Sequence, residues 1–224
     1  MVKNIKHTTV VLGSLIFLIL SFNCRQPVIP TEEDLAGYGW TLYETGEYQE
    51  AREWFYDAVD KDSSYADGFN GIGWCFGKLR QADSAAVYFL ISQTKPFDPY
   101  DTPDLDLDLY AGLTFSYSGM HIDSLVRTYA TYVLVDRPEL GPWYFSHDNK
   151  INHLDIRLEL ALADFNMGYF VSCRDNLQSI YNDTYYQSFP SNNPQALTMN
   201  VETVSGRAEL AQILQSLQQT LKNI

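Results

Sequence analysis

The chain has 224 residues, with 28 acidic side chains against 15 basic ones and a net charge of −13. That balance argues against nucleic acid, whose phosphates are met by Lys and Arg. It argues equally against electrostatic adhesion to an anionic membrane surface.

The first element in chain order is apolar. Lys3 and Lys6 precede an apolar run over residues 10–20, broken only by Gly13 and Ser14. The run is short for a bilayer span, so it reads as a secretory signal over residues 1–23. Ser21-Phe22-Asn23-Cys24 closes it and resembles a relaxed lipobox of bacterial lipoproteins. Ser21 and Asn23 stand where that motif usually has Leu and a small residue. The resemblance implies cleavage before Cys24, lipidation of Cys24 and a tether over residues 24–31. An ordinary cleaved signal or an uncleaved anchor are the alternatives. Without residues 1–23 the chain keeps 13 basic and 28 acidic side chains, a net charge of −15. Cys75 and Cys173 are then the remaining thiols besides Cys24. Two cysteines so far apart make no disulfide scaffold, and their helix positions predict buried structural thiols.

Next comes a repeat. Gly37-Tyr38-Gly39-Trp40 recurs as Gly71-Ile72-Gly73-Trp74, each residue 34 positions after its counterpart. Thirty-four residues is the length of one helix-turn-helix unit. Thr31 before Glu32, Glu33 and Asp34 is a good N-cap with acidic first-turn residues. Leu35, Tyr38, Gly39 and Leu42 fall on one helix, Gly46 on its end, and Ala51, Phe55 and Ala58 on the next. This segment resembles a tetratricopeptide repeat (TPR). Gly39 and Ala51 are small where two helices cross, and Phe55 fills the space toward the following unit. The second unit keeps the register with Phe69, Ile72, Gly73, Phe76, Ala85, Phe89 and Ser92, but Arg80 holds the turn position. The third is looser: Gly112 and Phe115 fit the first helix, Gly119 the turn, and Leu125, Tyr129 and Tyr132 the second helix after one inserted residue. In the fourth, Gly168, Phe170, Cys173, Leu177 and Ile180 reproduce the second half.

The predicted fold is therefore all-α: a solenoid of about four TPR-like helical hairpins over residues 32–185. The repeats cover about 32–65, 66–99, 104–138 and 152–184. Irregular connectors carry Pro99 and Pro103, then Pro138, Pro142, Trp143, Tyr144 and Phe145. An irregular connector over 186–204 leads into a capping helix over 205–224, whose Leu210, Ile213, Leu214, Leu217 and Leu221 form one apolar stripe.

In TPR proteins one face of the first helices lines a groove. The resemblance places Ala36, Trp40, Tyr43 and Glu44 there from the first unit. It adds Asn70, Trp74, Gly77 and Lys78 from the second, and Leu109, Leu113 and Tyr117 from the third. Ala36, Trp40 and Trp74 replace the Lys and Asn residues that clamp a peptide carboxylate in some members, so that function is not implied. An aromatic strip of Trp40, Tyr43, Trp74 and Tyr117 beside Lys78 implies an apolar peptide, a helix or a sugar face as ligand. The alternative is that Trp40 and Trp74 pack on each other or under a loop.

Metal and enzyme signatures are lacking. Asp104-x-Asp106-x-Asp108 imitates an EF-hand opening, but Leu109 and Phe115 occupy the places of its Gly and Glu. His147 and His153 could face each other across a turn, yet form no helical zinc pair. No nucleophile elbow, phosphate loop or dinucleotide fingerprint occurs. The expectation is a non-enzymatic scaffold or assembly adaptor with no cofactor and no metal. It would bind a protein or peptide in the bacterial cell envelope, anchored by lipid at the periplasmic face of the outer membrane. The second expectation is an envelope lipoprotein presenting the aromatic groove to a glycan or peptide. Oligomeric state is left open.

Overall fold

Every hairpin of this chain turns in the same way, and the turn explains the fold. A computed structural model describes residues 29–99, 102–135, 141–189 and 195–222. Among them lie ten helices, all in one compact unit, Thr31–Ile224. They are α1 (Glu32–Thr45), α2 (Tyr48–Lys61), α3 (Ala66–Lys78), α4 (Ala82–Gln93), α5 (Leu105–Gly119) and α6 (Asp123–Val133). Then come α7 (His153–Asn166), α8 (Phe170–Asn182), the single turn α9 (Thr184–Gln187) and α10 (Val204–Leu221). Consecutive helices pack as neighbours, α1 on α2 through α7 on α8, and α1, α3, α5 and α7 also touch in succession. The result is an all-α solenoid of four hairpins closed by a C-terminal helix. The expected signal at residues 1–23 and Cys24 lie outside the described residues. No helix among those described is long and apolar enough to cross a membrane.

Near the end of each first helix one residue adopts left-handed backbone: Gly46, Arg80, His121 and Gly168, with φ of 90°, 60°, 58° and 82°. The following N–H then bonds five residues back, Glu47 to Leu42, Gln81 to Phe76, Ile122 to Tyr117 and Tyr169 to Asp164, at 2.8–3.0 Å. This closure satisfies a carbonyl that the ending helix leaves without a partner. The third turn is at His121, two residues beyond the predicted Gly119. Helix α6 consequently buries Val126, Ala130 and Val133, one position on from the predicted Leu125, Tyr129 and Tyr132. The four turn residues are 34, 41 and 47 positions apart. Insertions after α4 and α6 thus stretch the period without changing the hairpin.

The glycines of the repeated motif are sockets for phenylalanine. Phe55 of α2 lies between Gly39 of α1 and Gly71 of α3, where an added Cβ would come within 3.0 and 2.3 Å of its ring. Phe89 of α4 lies likewise between Gly73 and Gly112, at 2.6 and 2.3 Å. In the third hairpin the large and small residues exchange: Ala130 takes the phenylalanine position and the buried Thr114 the glycine position. Gly37 has no atom within 4 Å of its would-be Cβ. Gly71→Ala should therefore cost about 1–3 kcal/mol by overpacking, while Gly37→Ala should gain about 0.5–1 kcal/mol of helix propensity. Urea titration of the two variants reads this opposition; shifts of the same sign would refute the socket account.

Helix α7 joins two apolar clusters. Its Ile156 and Ala163 pack with α1–α6, and its Leu154, Leu158 and Ala161 pack with α8 and α10. Leu210, Leu214, Leu217 and Leu221 of α10 cover Leu177 and Ile180 of α8, with Leu197, Met199 and Val201 of the preceding segment filling in. Thr203 caps α10 by accepting from the Gly206 N–H at 3.0 Å. A stripe of leucines that would otherwise face water becomes the end wall of the solenoid.

Candidate functional site

The sequence placed an open aromatic strip on the first helices of the hairpins. The structure fills that place with the chain's own segment between α6 and α7. Residues 143–153 form a short extended loop: Phe145 N–H donates to the Ile151 carbonyl at 2.9 Å and His153 N–H to the Trp143 carbonyl at 3.0 Å. Among the described residues no sheet forms, and a lone antiparallel bridge joins Tyr144 to Asn152. Side chains alternate along this loop. Trp143 and Phe145 point inward and are buried, while Tyr144 remains 64% exposed.

The inward residues meet the expected groove residues one by one. The Phe145 ring stacks on Trp74 at 4.0 Å and meets Tyr43 edge-on at 6.0 Å. The His147 ring lies flat on Trp40 at 3.8 Å, and its Nδ1 bonds Glu44 at 2.9 Å. Asp148 accepts from Lys78 Nζ at 2.6 Å. Trp143 Nε1 donates to Asp108 of α5 at 2.8 Å. The strip of Trp40, Tyr43, Trp74 and Lys78 is accordingly not an open groove but the bed of an internal loop. Tyr117 is not part of it: this ring stacks on Tyr129 of α6 at 5.5 Å, within its own hairpin. The covering of Trp40, Tyr43 and Trp74 has a physical cause. An apolar aromatic face exposed to water is costly, and the chain carries enough aromatics in its connector to cover it.

Sequence reasoning singled out Trp143, Tyr144 and Phe145 as connector residues but missed their destination, and it missed Asp148. A signal was present in the alternation Trp143, Phe145, His147 against Tyr144 and Ser146, the period of an extended segment buried on one side. His147 and His153 do not face each other; His153 Nε2 bonds Asp183 at 3.0 Å. Cys75 and Cys173 are buried, and burial pushes both thiols up to about 12, which suits structural thiols.

A cavity of about 790 Å³ lies beside the loop, where α1, α3 and α5 begin, and a smaller one of about 480 Å³ keeps Trp74 and Lys78 in its lining. Six carboxylates line the larger one: Glu33, Asp62, Asp67, Asp98, Asp104 and Asp108. No Lys or Arg is among its described lining residues. The donors to three of these carboxylates are neutral. Asp62 accepts from Ser64, Asp67 from Trp40 Nε1 at 2.8 Å and from Asn70, and Asp108 from Trp143. Neutral donors hold a carboxylate in place without cancelling its charge. Burial, reinforced by Asp67, Asp104 and Asp106, pushes Asp108 well above the usual carboxylate range against the opposing Trp143 bond. Among the described residues no cluster of His, Cys, Asp or Glu could hold a metal ion. The acidic run 104–108 instead starts α5 and anchors Trp143.

Behind the loop, Asn152 and Asp155 cap α7 reciprocally: Asn152 Oδ1 accepts from Leu154 N–H, and Asp155 Oδ2 from Asn152 N–H, both at 2.9 Å. Burial pushes Asp155 up to about 6, opposed by the Asn152 bond and aided by the Glu159 charge. The folded form therefore holds a proton that the unfolded chain has released above about pH 4, and stability falls as pH rises from about 4 to about 6. Urea midpoints should be higher at pH 5 than at pH 7.5. Repulsion in this acidic chain has the same sign, so Asp155→Asn, which flattens part of the slope, identifies the residue. An unchanged slope would exclude it.

No family model, curated protein or solved structure matched the chain.

Proposed function

We propose that the chain is a non-catalytic protein–protein interaction scaffold or assembly adaptor of the TPR kind. On this reading lipid on Cys24 holds it at the periplasmic face of a bacterial outer membrane. One observation carries the interaction reading: a solenoid of helical hairpins presents, beside the loop-covered aromatic strip, a cavity of about 790 Å³ lined by six carboxylates and by no described Lys or Arg. Concave faces of repeat arrays are where such proteins take partners, and residue types at the cavity mouth, Tyr144 and Tyr65 among them, suit contact surfaces. The filled bed takes Trp40 and Trp74 away from a glycan, because one ring is stacked on His147 and the other on Phe145. The glycan alternative thereby loses its platform.

Site-specific photo-crosslinking in native envelopes tests the reading. A crosslinker at Tyr144, on the lip of the cavity, should give a discrete adduct, and one at Val87, exposed on α4, should not. Adducts of equal yield at both positions, or at neither, would refute it. Fatty-acid analogue labelling that survives Cys24→Ala would remove the anchor from the proposal.

A further inference from the structure

We infer that the cavity of about 480 Å³ between α3, α4, α5 and the start of α7 binds a small monocarboxylate with an apolar body, held at its charged end by Arg80. This site goes beyond the scaffold reading and does not depend on it. The first observation is the turn between α3 and α4. Gly46 and Gly168 take left-handed backbone at the corresponding turns without steric cost, whereas Arg80 takes it at φ 60° with a full side chain. His121 shares that conformation; Arg80 in addition lines the cavity. Glycine closes the same turn at less cost, so turn geometry gives no reason for an arginine there.

The second observation is that the Arg80 charge is unspent. Among the described residues its guanidinium makes no hydrogen bond, ion pair or ring contact. The neighbouring cation, Lys78, is taken by Asp148 at 2.6 Å. Asp155, the carboxyl of the lining, serves the α7 cap by accepting from the Asn152 N–H at 2.9 Å. A free guanidinium in a cavity wall favours an anion, and its planar fork offers a carboxylate two donors. The third observation is a gradient across the lining. Arg80, Gly77 and Gly119 are exposed, while Trp74 and Phe89 are buried and Phe115 is half-buried. A cation at the wet end and aromatic rings at the dry end match an acid with an apolar body.

A small molecule is favoured over a peptide because four elements bound the cavity and its volume lies in the range of small-ligand sites. The full chain should bind octanoate or 3-phenylpropanoate saturably, read by calorimetry and by tryptophan emission from the Trp74 wall. The tighter of the two acids tells an acyl-chain site from an arene site. Octanol, which lacks the charge, should bind at least about tenfold more weakly than octanoate. Arg80→Gly restores the residue of the other turns, so it should hold or raise the urea midpoint. It should also weaken the acids about tenfold and leave octanol within about twofold. Gly77→Leu starts a side chain in open space, with no atom within 4 Å of the would-be Cβ, and should weaken acid and alcohol alike. Arg174→Leu, at an exposed pair elsewhere, should change acid binding by less than about twofold. No saturable binding of either acid, octanol binding as tightly as octanoate, or equal weakening by Arg80→Gly and Arg174→Leu overturns the inference. So does a fall in the urea midpoint of Arg80→Gly, which would make Arg80 a structural residue. These variants should leave the Tyr144 adduct in place, so failure here leaves the scaffold reading standing.

Discussion

Replacing Phe145 by Ala should lower the unfolding free energy by about 3–5 kcal/mol, the cost of emptying a fully buried aromatic site. For a folded unit of this size the melting temperature should fall by about 10 °C. The loss is large because Phe145 is the centre of the loop's contact with the helices. Its ring touches Trp40 and Tyr43 of α1 and Trp74 of α3, and it lies 6.5 Å from Trp143. Removing it leaves a void between hairpins and exposes the Trp74 face, so tryptophan emission should shift to the red before global unfolding. An ordinary surface connector would respond by about 0.5 kcal/mol or less. A loss of that small size would mean that the loop does not fill the groove in solution.

Arg127→Leu should cost about 3 kcal/mol, because it strands a charge with no access to water. Asp164 of α7 is fully buried and accepts from Arg127 Nε of α6 at 2.5 Å, from Ser172 Oγ at 2.5 Å and from Asn176 Nδ2 of α8 at 3.0 Å. One carboxylate thus ties three helices across the joint between the third and fourth hairpins. Arg127 also lies 4.5 Å over the Tyr169 ring. Breaking one partner of a buried pair leaves the other unpaid for its desolvation. A double variant lacking both charges, Arg127→Leu with Asp164→Leu, should recover much of the loss, with a coupling of at least about 1 kcal/mol. Arg174→Leu, which breaks the exposed pair with Asp175, should change stability by less than about 0.5 kcal/mol. Equal effects of the Arg127 and Arg174 changes in chemical denaturation would refute the argument.

Much of the architecture was legible along the chain. The 34-residue interval and the Gly46 turn are local features, set by helix length and backbone conformation. The glycine and phenylalanine pairing was half legible: small residues at a crossing were expected, but the double socket around Phe55 involves α3 as well as α1. The third turn was misplaced because Gly119 is the residue that favours left-handed backbone, whereas His121 adopts it. The closing bond from Ile122 to Tyr117 and the burial of Val126 override that local preference.

The site itself was legible in composition and not in arrangement. Trp40, Tyr43 and Trp74 share the side of α1 and α3 on which the loop lies, yet nothing local says whether such a side faces water. The partners that cover them are remote: Lys78 meets Asp148 across 70 positions and Glu44 meets His147 across 103. The carboxylates of the cavity come from two connectors and three helix starts, so no spacing announces them.

What the sequence determined by itself is the repeating helical hairpin, because periodicity, turn chemistry and small-for-large pairing act between residues close in the chain. What only the tertiary structure decided is which concave surface remains available. Desolvation is settled by whichever apolar segment of the folded chain can reach a face, and here the loop from Trp143 to Asp148 reached the aromatic strip first. The cavity lined by six carboxylates lies beside that loop.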